Sequence, residues 1–104
     1  MAKLPSTRDV QEALKHILWT RDGKTITASE AYQLLAEHFQ LDPTLTRRVI
    51  RHGAGQENAW QNRCRTARRN LVALGAMERS PRNQWSLTES ARKGMRRNLR
   101  ELGL

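Results

Sequence analysis

Val10, Ala13, Leu14, Ile17 and Leu18 fall at the i, i+3, i+4, i+7, i+8 spacing of one helical face, and Ser6 or Thr7 stands ready as a cap. The pattern predicts a helix over about residues 8–19. Arg21-Asp22-Gly23-Lys24 then reads as a turn, because Asp-Gly supplies a positive backbone angle that most residues resist, and the β-prone Thr25-Ile26-Thr27 reads as one small strand. Thr27 and Glu30 have the spacing of a capping box, ahead of a stripe of Ala31, Leu34, Leu35 and Phe39 that predicts a second helix over about 28–39. Asp42-Pro43 is a further start signal, with Pro43 at the first helical position, where its missing N–H is no loss. With Leu45 and Val49 facing inward, this predicts a short helix ending near His52, after which Gly53-Ala54-Gly55 reads as a mobile loop.

The most informative stretch begins at Asn58, a good cap, after which Trp60, Cys64, Ala67, Leu71 and Leu74 recur at i, i+4, i+7, i+11, i+14 before Gly75 stops the helix. At about 100° per residue, the opposite face carries Asn62, Arg65, Thr66 and Arg69, with Gln61 and Arg68 on one flank. Ala76-Met77-Glu78-Arg79, the turn-like Ser80-Pro81-Arg82-Asn83 and the alternating Gln84-Trp85-Ser86-Leu87 predict a hairpin with a basic tip. Thr88 caps a last helix, over about 88–102, whose seam of Ala91, Met95, Leu99 and Leu102 runs beside Arg92, Lys93, Arg96, Arg97 and Arg100. The expected fold class is mainly α (α+β): a winged helix-turn-helix with a small β-hairpin wing and a trailing C-terminal helix. Its core spans about 8–90, and residues 1–104 read as one domain.

Charge changes this picture more than composition does. Of the 104 residues 38% are hydrophobic, enough for a thin core, and no apolar run approaches the roughly 18 residues of a membrane span. The start, Met1-Ala2-Lys3-Leu4-Pro5, offers no secretion signal, so an intracellular, cytoplasmic protein is expected. The net charge is +9, and its distribution is uneven: residues 1–46 carry −1, whereas residues 47–104 hold fourteen Lys or Arg against four Glu. Such a basic half suits a polyanion, because each neutralised phosphate releases condensed counterions.

The side chains point to recognition rather than reaction. Arg pairs with guanine, and Asn or Gln with adenine, so Gln61, Asn62, Arg65, Thr66 and Arg69 form a candidate base-reading face. Arg63, Arg68, Arg47, Arg48 and Arg51 are candidates for phosphate contact, with Arg82, Asn83 and Gln84 reaching DNA from the hairpin. Trp60 and Trp85 have the chemistry to stack on a displaced base, but their places on a stripe and an alternating strand assign them to the core. Cys64 lies on the buried stripe and reads as a packed thiol. His16, His38 and His52 sit on separate elements without metal-ligand spacing, and the acidic residues after position 46 stand isolated among Arg. No enzyme activity, metal or cofactor is expected.

Trp60-Gln61-Asn62-Arg63-Cys64-Arg65-Thr66-Ala67-Arg68, then Leu71, Gly75-Ala76-Met77-Glu78 and Trp85-Ser86-Leu87-Thr88, resembles the N-terminal winged-helix domain of Mrr-like restriction proteins, and the resemblance takes in about residues 8–90. It implies a prokaryotic or phage module that binds double-stranded DNA, with sensing of methylated or otherwise modified bases, and a nuclease domain or subunit as partner. Two alternative readings stay open: a free-standing dimeric regulator that uses the trailing helix as its homodimer contact, and a protein–protein adaptor.

Overall fold

The computed structural model describes residues 3–21, 25–52, 55–79 and 83–101, and orders them as α1 (Thr7–Thr20), α2 (Ala28–His38), α3 (Pro43–Thr46), β1 (Val49–His52), β2 (Gly55–Asn58), α4 (Ala59–Ala73) and α5 (Glu89–Glu101). The fold is mainly helical.

Helix starts follow local chemistry. The Ser6 hydroxyl accepts from the Asp9 amide at the head of α1. At α2 the reciprocal box is complete, with Glu30 N–H donating to the Thr27 hydroxyl and Thr27 N–H donating to the Glu30 carboxylate. Asp42 caps α3 with Pro43 inside it, and the amide and then the hydroxyl of Thr44 hold the Asp42 carboxyl below the ordinary carboxylate range.

Helix ends follow a second rule. Gly75 (φ 79°) closes α4 in the left-handed conformation, with its own amide donating to Val72 O and that of Ala76 to Leu71 O. Gln40 (φ 52°) closes α2 the same way, its amide donating to Glu37 O and that of Leu41 to Ala36 O.

The predicted helix over 43–52 is half correct. It ends at Thr46, and Val49–His52 is instead a strand paired antiparallel with Gly55–Asn58, in the register Val49↔Asn58, Ile50↔Glu57, Arg51↔Gln56 and His52↔Gly55. Adjacent β-branched residues disfavour a helix and favour a strand, and one capped turn is too short to hold a helix against that preference. Gly55, expected in a mobile loop, opens β2, while Gly53 and Ala54 lie outside the described residues.

The core gathers one stripe each from α1, α2 and α4. Val10, Leu14 and Leu18 of α1, Ala31 and Leu35 of α2, and Trp60, Cys64, Ala67 and Leu71 of α4 are all buried, joined by Ile26, Met77, Trp85 and Leu87. Those last four side chains are held by short bridges rather than a long ladder: Ile26 pairs with Trp85 and Met77 with Leu87. Glu78 N–H donates to Ser86 O and Thr88 N–H to Ala76 O, so 76–79 and 84–88 run antiparallel, as the expected hairpin requires. Its tip at 80–82, including Arg82, lies outside the described residues. Leu74, expected on the buried stripe, is 73% exposed, because α4 ends at Ala73 and the chain turns there. At the other end, Ala91 and Met95 of α5 pack against the core, and the Arg96 guanidinium stands 6.0 Å from the Trp19 ring centre.

Candidate nucleic-acid interface

The starting point of α4 is fixed by Asn58, whose Oδ1 accepts from Gln61 N–H at 2.9 Å while its Nδ2 donates to Thr46 O at 2.8 Å. One side chain therefore caps α4 and ties it to α3. Trp60 adds a second tie, its indole N–H donating to the Tyr32 carbonyl of α2 at 3.1 Å. With Trp60, Cys64, Ala67 and Leu71 turned into the core, the rotation of the helix is set, and the opposite face must look outward.

That outer face carries the polar groups. Arg65 and Arg69 are exposed and Asn62 and Thr66 half-buried, with Arg69 making only a long 3.4 Å contact to the Thr66 hydroxyl. Arg65 bonds to the Glu57 carboxylate of β2, in a pair that water reaches. Its partial burial works against the charge, but the hydrogen bonds to Glu57 and to the Tyr32 hydroxyl outweigh it and hold the pKa above the ordinary arginine value. The guanidinium is a permanent cation.

The remaining predicted residues divide between flanks. Arg63 sits on the α1 side, where its Nη1 donates to the Pro5 carbonyl at 2.6 Å, and Asn70 beside it donates to Gln11. On the opposite flank Arg68 donates from Nη2 to the Arg79 carbonyl and lies with its guanidinium 5.7 Å from the Trp85 ring centre. Gln61 lines a shallow groove against α2, together with Ser29, Gln33 and Ala36. Arg47 and Arg48 are exposed where the chain enters β1, and Ala59 N–H donates to Arg48 O at the head of α4. Arg51 lies in β1, paired through its backbone with Gln56. Asn83 and Gln84 are exposed, and Asn83 Oδ1 accepts from the first amide of α2.

Three of these residues converge. Arg65, Arg68 and Asn83 line a cavity of about 600 Å³ whose other walls are Tyr32 and Trp85, two rings packed edge to face at 5.7 Å. Its walls come from α2, α4 and the 83–85 segment.

The family model of the Mrr N-terminal domain matches residues 10–97. The chain belongs to that family. No curated protein and no solved structure matches it. As an Mrr N-terminal domain the chain is an N-terminal module of restriction systems. The matched span runs from Val10 in α1 to Arg97 in α5 and includes every wall of the cavity and the whole outer face of α4.

Two residues of this Mrr N-terminal domain were not legible as site residues. Tyr32 stands one position past the Ala31 end of the α2 stripe, and Glu57 between the expected loop at 53–55 and the Asn58 cap; their roles depend on which element packs beside them. The buried Cys64 thiol is pushed up to about 12 by loss of solvent, which outweighs the pull of Arg65 and Arg63. Among the described residues no group of three or more His, Cys, Asp or Glu is placed to hold a metal ion, and no helix is long and apolar enough to cross a membrane.

Proposed function

We propose that this Mrr N-terminal domain reads duplex DNA for a restriction system by laying α4 in the major groove. In this reading α4 is the recognition helix of a winged helix-turn-helix and the 76–88 segment its wing. The observation that carries it is the division of one helix into two faces: Trp60, Cys64, Ala67 and Leu71 are buried, whereas Arg65 and Arg69 stand open to solvent. A helix about 10–12 Å across fits the major groove. Arg65 and Arg69 are then placed for guanine edges, Asn62 for adenine, and Arg47 and Arg48 for phosphates near the helix start. The module acts in the cytoplasm without catalysis of its own, and a nuclease domain or subunit supplies the cleavage chemistry.

Arg65→Ala combined with Arg69→Ala tests this. Titration against duplex DNA should show binding lost, while the melting temperature stays within a few degrees, because both side chains are exposed. Unchanged binding rejects the assignment. The same titration with matched duplexes, unmodified and carrying methylated cytosine or methylated adenine, separates modification sensing from plain duplex binding.

A further inference from the structure

Arg68 is unusual among the arginines of α4. Half-buried like Arg63, it differs in that its Nε is shut off from solvent without a hydrogen-bond partner among the described residues. Among the described residues its Nη2 meets a neutral carbonyl, that of Arg79, and one side of its guanidinium is taken by the Trp85 ring. A cation held in a half-buried site without a carboxylate is left with charge to satisfy, and the low local dielectric raises the gain from any anion that arrives. Three residues earlier, one helical turn away on the same flank, Arg65 presents a second guanidinium to the same cavity; its pair with Glu57 is solvent-reached and exchangeable.

Two converging guanidiniums suit a phosphate, which accepts several N–H bonds in their planar geometry. A bare phosphate, however, would leave most of a cavity of about 600 Å³ empty. The rest of the wall is Tyr32, the buried Trp85 and Asn83, which together offer an apolar surface and, with the Asn83 Oδ1 taken by the Ala28 amide, the Asn83 NH2 as a polar handle for a flat body.

We propose that this cavity binds one nucleotide, its phosphate held by Arg65 and Arg68 and its base set against Tyr32 beside Asn83. The nucleotide is either a unit of the DNA strand lying along α4 or a free nucleoside monophosphate. The inference rests on the proposed reading of α4, since Arg65 and Arg68 serve both, and adds to it Tyr32 and the grouping of these residues with Asn83 around one cavity.

The test is an NMR titration of the full chain, following the Arg Nε–H and Trp indole signals, with dAMP, deoxyadenosine and inorganic phosphate as separate probes. The expected result is that dAMP shifts the Arg68 and Trp85 signals and binds at least about tenfold more tightly than either the nucleoside or phosphate alone. Arg68→Lys, which keeps the charge and the packing stem, should weaken dAMP by about tenfold through loss of the planar fork, whereas Lys93→Gln on exposed α5 should not. Equal binding of dAMP and inorganic phosphate, or no shift at Arg68 with any probe, overturns the proposal. Competition between dAMP and duplex DNA assigns the nucleotide to the DNA strand; binding of dAMP that leaves duplex affinity unchanged assigns it to a free nucleotide. Duplex binding that persists while dAMP fails sinks the pocket and leaves the groove-reading helix standing. The reverse pair of results does the opposite.

Discussion

Gln40 holds a left-handed backbone, φ 52°, in a position where a side chain crowds its own carbonyl and glycine does not. The geometry persists because it lets two amides close the end of α2. Gln40→Gly removes roughly 1–2 kcal/mol of steric cost and adds roughly 0.4–1 kcal/mol of freedom to the unfolded chain. The expected net is a stabilisation on the order of 0.5–1 kcal/mol, read as a rise of a few degrees in thermal unfolding. Cys64 makes a different residue-scale prediction. With the thiol pushed from 9.0 to about 12, the native state favours its protonated form. That contribution is fully present below the unfolded value near 9 and is lost as pH rises toward 12. Alkylation at mild pH should therefore be slow in the folded protein and become fast only in denaturant; rapid labelling of native protein would contradict the burial.

At the scale of elements, the register of α4 matters most, because it decides which side chains face outward. Asn58 is the hinge of that arrangement, as it both caps α4 and grips Thr46. Asn58→Ala should cost about 1–2 kcal/mol from the cap alone, with further loss from the orphaned Thr46 carbonyl. Chemical denaturation measures the cost, and a change under about 0.3 kcal/mol would show that α4 is placed by its packing alone. The pattern of apolar residues located all four long helices because their stripes are long and regular. It misjudged 47–52, where four paired strand positions compete with a single helical turn, and the outcome rested on β2 as a partner. Leu74 was misplaced for a related reason: periodicity continues on paper past the point where Gly75 turns the chain away.

For the whole molecule, the uneven charge sets a quantitative expectation. If Arg47, Arg48, Arg65, Arg68 and Arg69 neutralise most of the phosphates they face, the logarithm of the duplex affinity should fall against the logarithm of salt with a slope of roughly −3 to −5. Titrations across a salt series measure it, and a slope near zero would mean that the basic half does not meet a polyanion. Arg63 adds little to that slope because it lies on the α1 flank of α4, reaching back to the Pro5 carbonyl and turned from the outer face.

The sequence by itself determined the helices, their caps, the buried stripes and the basic outer face of α4, because each depends on spacing within one segment and on side chains acting on their own backbone. Only the tertiary structure decided the β1–β2 hairpin, the pairing of Arg65 with Glu57 and the cavity that brings Tyr32, Arg68 and Asn83 together. The hairpin and the Arg65–Glu57 pair each need a neighbouring element as partner, and the cavity joins residues far apart in the chain; which elements meet is fixed by how they pack, and the periodicity of one segment does not encode that.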